Sequence, residues 1–212
     1  PHSNPDKCRE RIEQLLKGLT TTGYGLHLFS PEWFEEKTGD KPFQSPTVIP
    51  EPDKQSMIHG IKDACSDDAL WLVGAVVEYI KETGDLNFAR KEFTYADTYV
   101  LGNKVTESVY EHLKRILDFS AEQVGDDGIC KGLRADWNDC LNLNCFSEEP
   151  GESFQTTGPN DGPIAESVFI AGMFVKYGRE YAEICDALRL DDERDAVLKE
   201  VAAMEETVMD AG

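Results

Sequence analysis

Apolar residues recur at helical spacing in five stretches of the chain, and these set its expected elements. The first runs from about Pro5 to Leu19, with Ile12, Leu15, Leu16 and Leu19 on one stripe. Asn4 suits its N-cap, and Pro5 suits the first helical position, where a missing N–H costs nothing. A second helix is expected from Asp67 and Asp68, whose charges meet the positive end of the dipole, through Ile80. It is apolar almost all round, so burial on most faces follows, and Gly84 is its expected stop. A third spans about Glu107 to Val124, with Val109, Leu113, Ile116, Leu117 and Val124 on one face and Gly125 ending it. A fourth covers about Ile164 to Tyr177 and continues through Glu180 to Leu188. The fifth, Asp192 to Met209, keeps Val197, Val201, Met204 and Val208 in register, and the acidic run Asp191 to Asp195 reads as its solvated start.

The intervening stretches carry breakers. Residues 20–66 hold Pro31, Pro42, Pro46, Pro50 and Pro52 among the aromatics Tyr24, Phe29, Trp33, Phe34 and Phe43. That many prolines exclude a long helix or a central strand, so this is read as one long irregular loop. Asp126 to Gly162, rich in glycine, cysteine and asparagine, is read as mostly loop. Sustained period-two alternation is absent, and the expected fold class is all-α with long functional loops.

Charge narrows the partners. With 41 acidic and 21 basic side chains the formal net charge is −20, which repels phosphate backbones and anionic lipid. Nucleic acid and membrane are therefore not expected partners, and no run approaches the roughly 20 apolar residues of a membrane span. The six cysteines, Cys8, Cys65, Cys130, Cys140, Cys145 and Cys185, form no CxxC pair. The histidines, His2, His27, His59 and His112, show no HxxxH or HExxH spacing. Free structural thiols, no metal site and a cytoplasmic location are the resulting expectations.

The densest chemistry lies from Gly132 to Asn142, where two carboxylates, an indole, a guanidinium and two amides fall within a short segment. An aromatic face beside carboxylates suits a sugar: the ring stacks on C–H faces while hydroxyls meet polar groups. A carboxyl group desolvated by an indole also favours the protonated state that a general acid needs. The alternative is that Asp136 and Asn138 merely cap a turn. Composition alone leaves the two readings even. Arg134 suits orientation of Asp139, a sugar hydroxyl or a surface acid equally well. Asp67, Asp68 and Glu166 read first as helix-start acids, and Trp71 as core.

The run Arg134-Ala-Asp-Trp-Asn-Asp-Cys-Leu-Asn-Leu-Asn-Cys-Phe-Ser147, followed by Pro150 to Thr157 and Ala165 to Val175, resembles cellobiose phosphorylases of glycoside hydrolase family 94. Ser66 to Leu72 and Tyr79 to Asp85 also resemble that family, so the likeness covers about Asp67 to the C-terminus. It implies inverting phosphorolysis, in which cellobiose and phosphate give α-glucose 1-phosphate and glucose. By the same resemblance Asp139 is the general acid and Trp137 lines the subsite for the non-reducing sugar, with Arg134 and Asp136 as further substrate-binding residues. Phosphate is a substrate, and no metal or organic cofactor is implied. The implied fold is an (α/α)6 barrel, of which residues 1–212 would be an incomplete, internal piece of the catalytic domain, inactive by itself. The implied whole protein is a homodimer.

The resemblance has departures. Residues 20–62 are longer than, and largely unlike, the family's counterpart, and Ala69 stands where the proline of Asp-Asp-Pro is usual. Chitobiose phosphorylases share the Asp-Trp-Asn-Asp core but usually follow it with glycine and methionine rather than Cys140-Leu141. An Arg-Gly-x-Gly-x-Arg-Asp segment and the family's phosphate-holding segments are not found. A phosphorylase for another β-linked disaccharide, such as cellobionic acid or chitobiose, and a non-catalytic carbohydrate-binding helical module are the alternatives.

Overall fold

The computed structural model describes residues 2–27, 29–30, 64–133 and 166–210. Six α-helices dominate them: α1 (Pro5–Leu16), α2 (Asp68–Thr83), α3 (Ala96–Leu101), α4 (Val109–Glu122), α5 (Val168–Leu188) and α6 (Asp191–Asp210). A 3-10 helix, Leu86–Arg90, and two short antiparallel strands, β1 (Glu92–Thr94) and β2 (Thr106–Ser108), lie between α2 and α4. The chain is thus mostly helical, with a small sheet that the expected all-α class lacks. Three-residue strands are too short to display an alternation, which is why the pattern is silent there.

Helix α2 is the centre. Ala69, Leu70, Leu72, Val73, Gly74, Val76, Val77, Tyr79 and Ile80 are buried on it, and α1, α4 and α5 all pack against it. A Cβ on Gly74 would lie 2.4 Å from the Tyr177 ring, so glycine is what lets α5 approach this closely. Gly84, at φ 70°, closes α2 as a left-handed C-cap, as expected. Helices α5 and α6 form an antiparallel hairpin turned by Arg189, at φ 61°. Val197, Val201 and Met204 are the buried positions of α6, in the expected register.

Several boundaries differ from the pattern. Helix α1 begins on an Asn4 cap, whose Oδ1 accepts the Lys7 N–H at 3.0 Å, but it ends at Leu16 rather than Leu19. The Phe29 ring packs where a Gly18 side chain would stand, and Leu19 turns into an isolated bridge with Gly25. Helix α4 starts later than Glu107 because Ser108 and Glu111 form a capping box, which satisfies two end N–H groups reciprocally. It ends at Glu122, and Gly125 opens the following turn by donating to the Ile129 carbonyl. The fourth expected helix is one unbroken α5 that starts at Val168 on a Ser167 cap, not at Ile164.

A charged brace ties the 20–27 turn to this core. Arg115 on α4 grips Glu107 in a bidentate pair at 2.6 and 2.7 Å and donates to the Thr21 carbonyl at 2.9 Å. Tyr95 donates to Glu107 at 2.7 Å, and Asp97 accepts from the Thr21 N–H and hydroxyl. The Arg115 guanidinium holds the Glu107 carboxyl down at about 2, and burial raises the Tyr95 hydroxyl. Beneath them His112 is fully buried, stacked on Tyr95 at 4.0 Å, with Nδ1 2.9 Å from the Ser108 carbonyl. Its Nε2 finds no partner among the described residues, so a second proton would sit unsolvated, and burial pushes the imidazole down to about 4.

The unfolded chain, with an ordinary histidine pKa near 6.5, therefore binds this proton more readily than the folded one. Stability falls as pH drops from about 6.5 toward 4. His112 alone is expected to remove about 2 kcal/mol between pH 7 and pH 5. Urea unfolding at the two pH values should show that loss, and His112→Phe, whatever its own stability, should show a pH difference smaller by about that amount.

Candidate functional site

The N-terminus of α2 gathers polar side chains from three separate chain segments. Cys65 forms an isolated antiparallel bridge with Leu133, and Ser66 Oγ donates to the Gly132 carbonyl at 2.8 Å. Lys131 bridges in turn to Glu166, and the Ser167 N–H donates to the Cys130 carbonyl at 2.7 Å. The two ends of the 134–165 segment, Leu133 and Glu166, are therefore fixed together against the Cys65-Ser66-Asp67 turn. Arg134, Asp136, Trp137 and Asp139 themselves lie outside the described residues, as do Cys140 and Cys145.

The two adjacent acids have different surroundings. Asp67 is buried, 1% exposed, and its carboxylate accepts the Trp71 indole N–H at 3.3 Å, one helical turn on. It does not cap α2 through its side chain, contrary to the simplest reading of an acid there. Asp68 sits at the first position of α2, where its Oδ2 lies 3.0 Å from His27 Nδ1. His27 Nδ1 is also 3.6 Å from the Cys65 thiol. His27 and Asp68 line a cleft of about 270 Å³, with Arg11, Leu15, Leu26 and Phe29 among its other walls.

Trp71 is not core. It is 45% exposed and meets Tyr177 edge-on at 6.3 Å, because α2 turns this residue away from α1 and α4. Glu166 has a structural role: its Oε1 accepts the Asp127 N–H at 3.0 Å and fills the space over Gly125. It precedes α5 in a bridge rather than opening the helix, so the dipole argument does not apply to it. Cys8, Cys65, Cys130 and Cys185 are free thiols, and burial pushes Cys130 up to about 12, the behaviour of an inert core thiol.

The profile of the glycosyl hydrolase 94 superfamily catalytic domain matches residues 1–212. The chain belongs to this family. Among curated relatives it is 56% identical over 144 residues to the N,N'-diacetylchitobiose phosphorylases of Vibrio furnissii and Vibrio proteolyticus. Each alignment covers 68% of this chain and 17% of the relative. It is 31% identical over 77 residues to a solabiose phosphorylase of Paenibacillus borealis, covering 36% of this chain and 9% of that protein. The chain thus aligns with about a sixth of the Vibrio relatives' length. The relatives named here are phosphorylases of N,N'-diacetylchitobiose and solabiose, so the family is shown while the cellobiose branch expected from the sequence is not.

His27 and Ser66 escaped the sequence reading. His27 belongs to no spaced motif, Ser66 entered only as the first residue of the Ser66 to Leu72 run with no role, and their partners, Asp68 and Gly132, lie 41 and 66 positions away. Ser66→Ala is expected to leave the Gly132 carbonyl without its buried donor and to cost about 1 kcal/mol. Hydrogen exchange should then show the Cys65–Leu133 backbone protected about fivefold less, while the amides of α4 keep their protection.

Proposed function

We propose that the chain carries the general-acid part of the catalytic domain of an inverting phosphorylase for β-linked disaccharides. The observation that carries this is the fixed geometry around the 134–165 segment. The residues that flank it are pinned to each other and to the turn before α2, so both flanks of the segment that carries Arg134-Ala-Asp-Trp-Asn-Asp have a fixed base. Asp139 gives its proton to the glycosidic oxygen as the bond to the anomeric carbon breaks. A phosphate oxygen bonds to that carbon from the opposite face, leaving an α-sugar 1-phosphate and a free sugar. Phosphate arrives anionic, so no second carboxylate is needed to activate water as in an inverting hydrolase. Trp137 stacks on the non-reducing sugar, and Arg134 and Asp136 hydrogen-bond its hydroxyls. Phosphate enters as a substrate, and the reaction as written names no metal or organic cofactor.

The substrate we favour is N,N'-diacetylchitobiose, on the 56% identity to the two Vibrio enzymes of that name. Cellobiose is the second reading, favoured by Cys140-Leu141 after the acidic core. Architecturally, α1, α2 and α4 to α6 would form part of an (α/α)6 barrel. No helix among the described residues is long and apolar enough to cross a membrane. A charged sugar phosphate cannot leave through a bilayer, which supports a cytoplasmic location.

The test uses the whole protein that carries this chain. Sugar 1-phosphate release is measured from N,N'-diacetylchitobiose, cellobiose and cellobionic acid, each with and without phosphate. Phosphate-dependent product from N,N'-diacetylchitobiose, with little from the others, is expected. Asp139→Asn should lower that rate by roughly 10²- to 10⁴-fold with its fold intact. Near-normal phosphorolysis in Asp139→Asn would overturn the assignment of the acid. Sugar binding without turnover of any substrate would favour a non-catalytic module.

A further inference from the structure

Three side chains of different donor type converge at the mouth of the cleft beside α2. His27 comes from the turn after α1, Cys65 from the strand-like stretch that bridges to Leu133, and Asp68 from the first turn of α2. Their donor atoms all lie within 4.8 Å of one another. Cys65 is buried at 2%, while the His27 and Asp68 side chains are 37% and 20% exposed, so the group has a buried base and an open side.

The geometry around His27 Nδ1 is the informative part. This nitrogen is 3.0 Å from a carboxylate oxygen and 3.6 Å from a thiol sulfur. A ring nitrogen carries either one proton or one lone pair, so it serves one of these neighbours well and the other poorly. A cation seated among the three would be served by all of them. Tetrahedral bonds of about 2.0 Å to nitrogen and oxygen and about 2.3 Å to sulfur place neighbouring ligand atoms about 3.3 Å apart for N and O and about 3.5 Å for N and S. The two His27 Nδ1 separations are close to those edges, and the Asp68 carboxylate and Cys65 sulfur lie within 4.8 Å of each other.

We infer that His27, Cys65 and Asp68 form a binding site for a zinc-class divalent cation, tying three separate chain segments together at the mouth of the cleft. One imidazole, one thiolate and one carboxylate are the mixed donor set that borderline-soft cations select over calcium or magnesium. Three protein ligands leave a fourth position for water or another group. Binding releases the Cys65 proton, and the thiolate and carboxylate together neutralise the double charge of the ion.

The experiment titrates Co²⁺ into the metal-stripped whole protein and then displaces it with Zn²⁺. Expected are one Co²⁺ per chain, a thiolate-to-cobalt charge-transfer absorption, and loss of that absorption on adding Zn²⁺. Zn²⁺ should also raise the melting temperature. His27→Ala, at a side chain exposed enough to be removed without harm to the core, should weaken binding at least tenfold and abolish the melting shift. Cys65→Ser should remove the charge-transfer absorption. Its absence from the unmodified protein, its survival in Cys65→Ser, or unchanged affinity in His27→Ala would each overturn the site.

Discussion

A helix that is apolar on nearly every face cannot exist in water, and α2 is such a helix. Its buried positions from Ala69 to Ile80 leave only the stripe through Trp71, Ala75 and Glu78 out of the core, so helices must cover it on several sides at once. Helices α1, α4 and α5 do so, and Gly74 sets how near α5 can come by leaving room for the Tyr177 ring. Enlarging that glycine would push against a ring held in the core, and overpacking of this kind costs typically 1–3 kcal/mol. Because α2 is held from several directions, its N-terminus has no freedom to drift. Everything attached there inherits that rigidity, including the bridge to Leu133 and the hydrogen bond to Gly132.

The second fixed point is the brace built on Arg115. A guanidinium that grips one carboxylate with two bonds and a backbone carbonyl with a third leaves little room for the 20–27 turn to move. That turn carries His27 to the mouth of the cleft. The brace is exposed to solvent on one side yet rests on the fully buried His112, whose neutral form is enforced by burial. An acidic chain thus uses several of its scarce cations internally. Arg115, Lys91 and Arg9 each hold a carboxylate, the last two sharing Glu13.

How much of this was legible follows from the physics of each element. Helices α2, α5 and α6 and the Asn4 cap were readable because burial on a helix face leaves a 3.6-residue signature, and α6 buries the positions that signature names. The end of α1 was not, since Gly18 and Leu19 continue the apolar pattern while Phe29, ten positions on, competes for the same space. The small sheet and α3 were missed because short elements carry too few residues to show a period. For the site, the residues expected to do chemistry, Arg134, Asp136, Trp137 and Asp139, were found through resemblance and fall outside the described residues. The structure supplied instead what surrounds their segment. Trp71 was misread because its apolar neighbours in sequence point to other faces of the helix.

Two neighbouring acids show why sequence adjacency says little about role. Asp67 and Asp68 are equal as helix-start charges, but a helix places consecutive side chains about 100° apart. One turns inward, where its carboxylate takes the Trp71 indole N–H, and the other turns to the cleft and meets His27. The stretch 31–63 begins just after Ser30 and ends just before Ala64, so it starts and finishes near His27 and Cys65. The stretch 134–165 starts and finishes at Leu133 and Glu166, which are tied to the same turn. The described residues that flank both stretches therefore meet at one place, the N-terminus of α2.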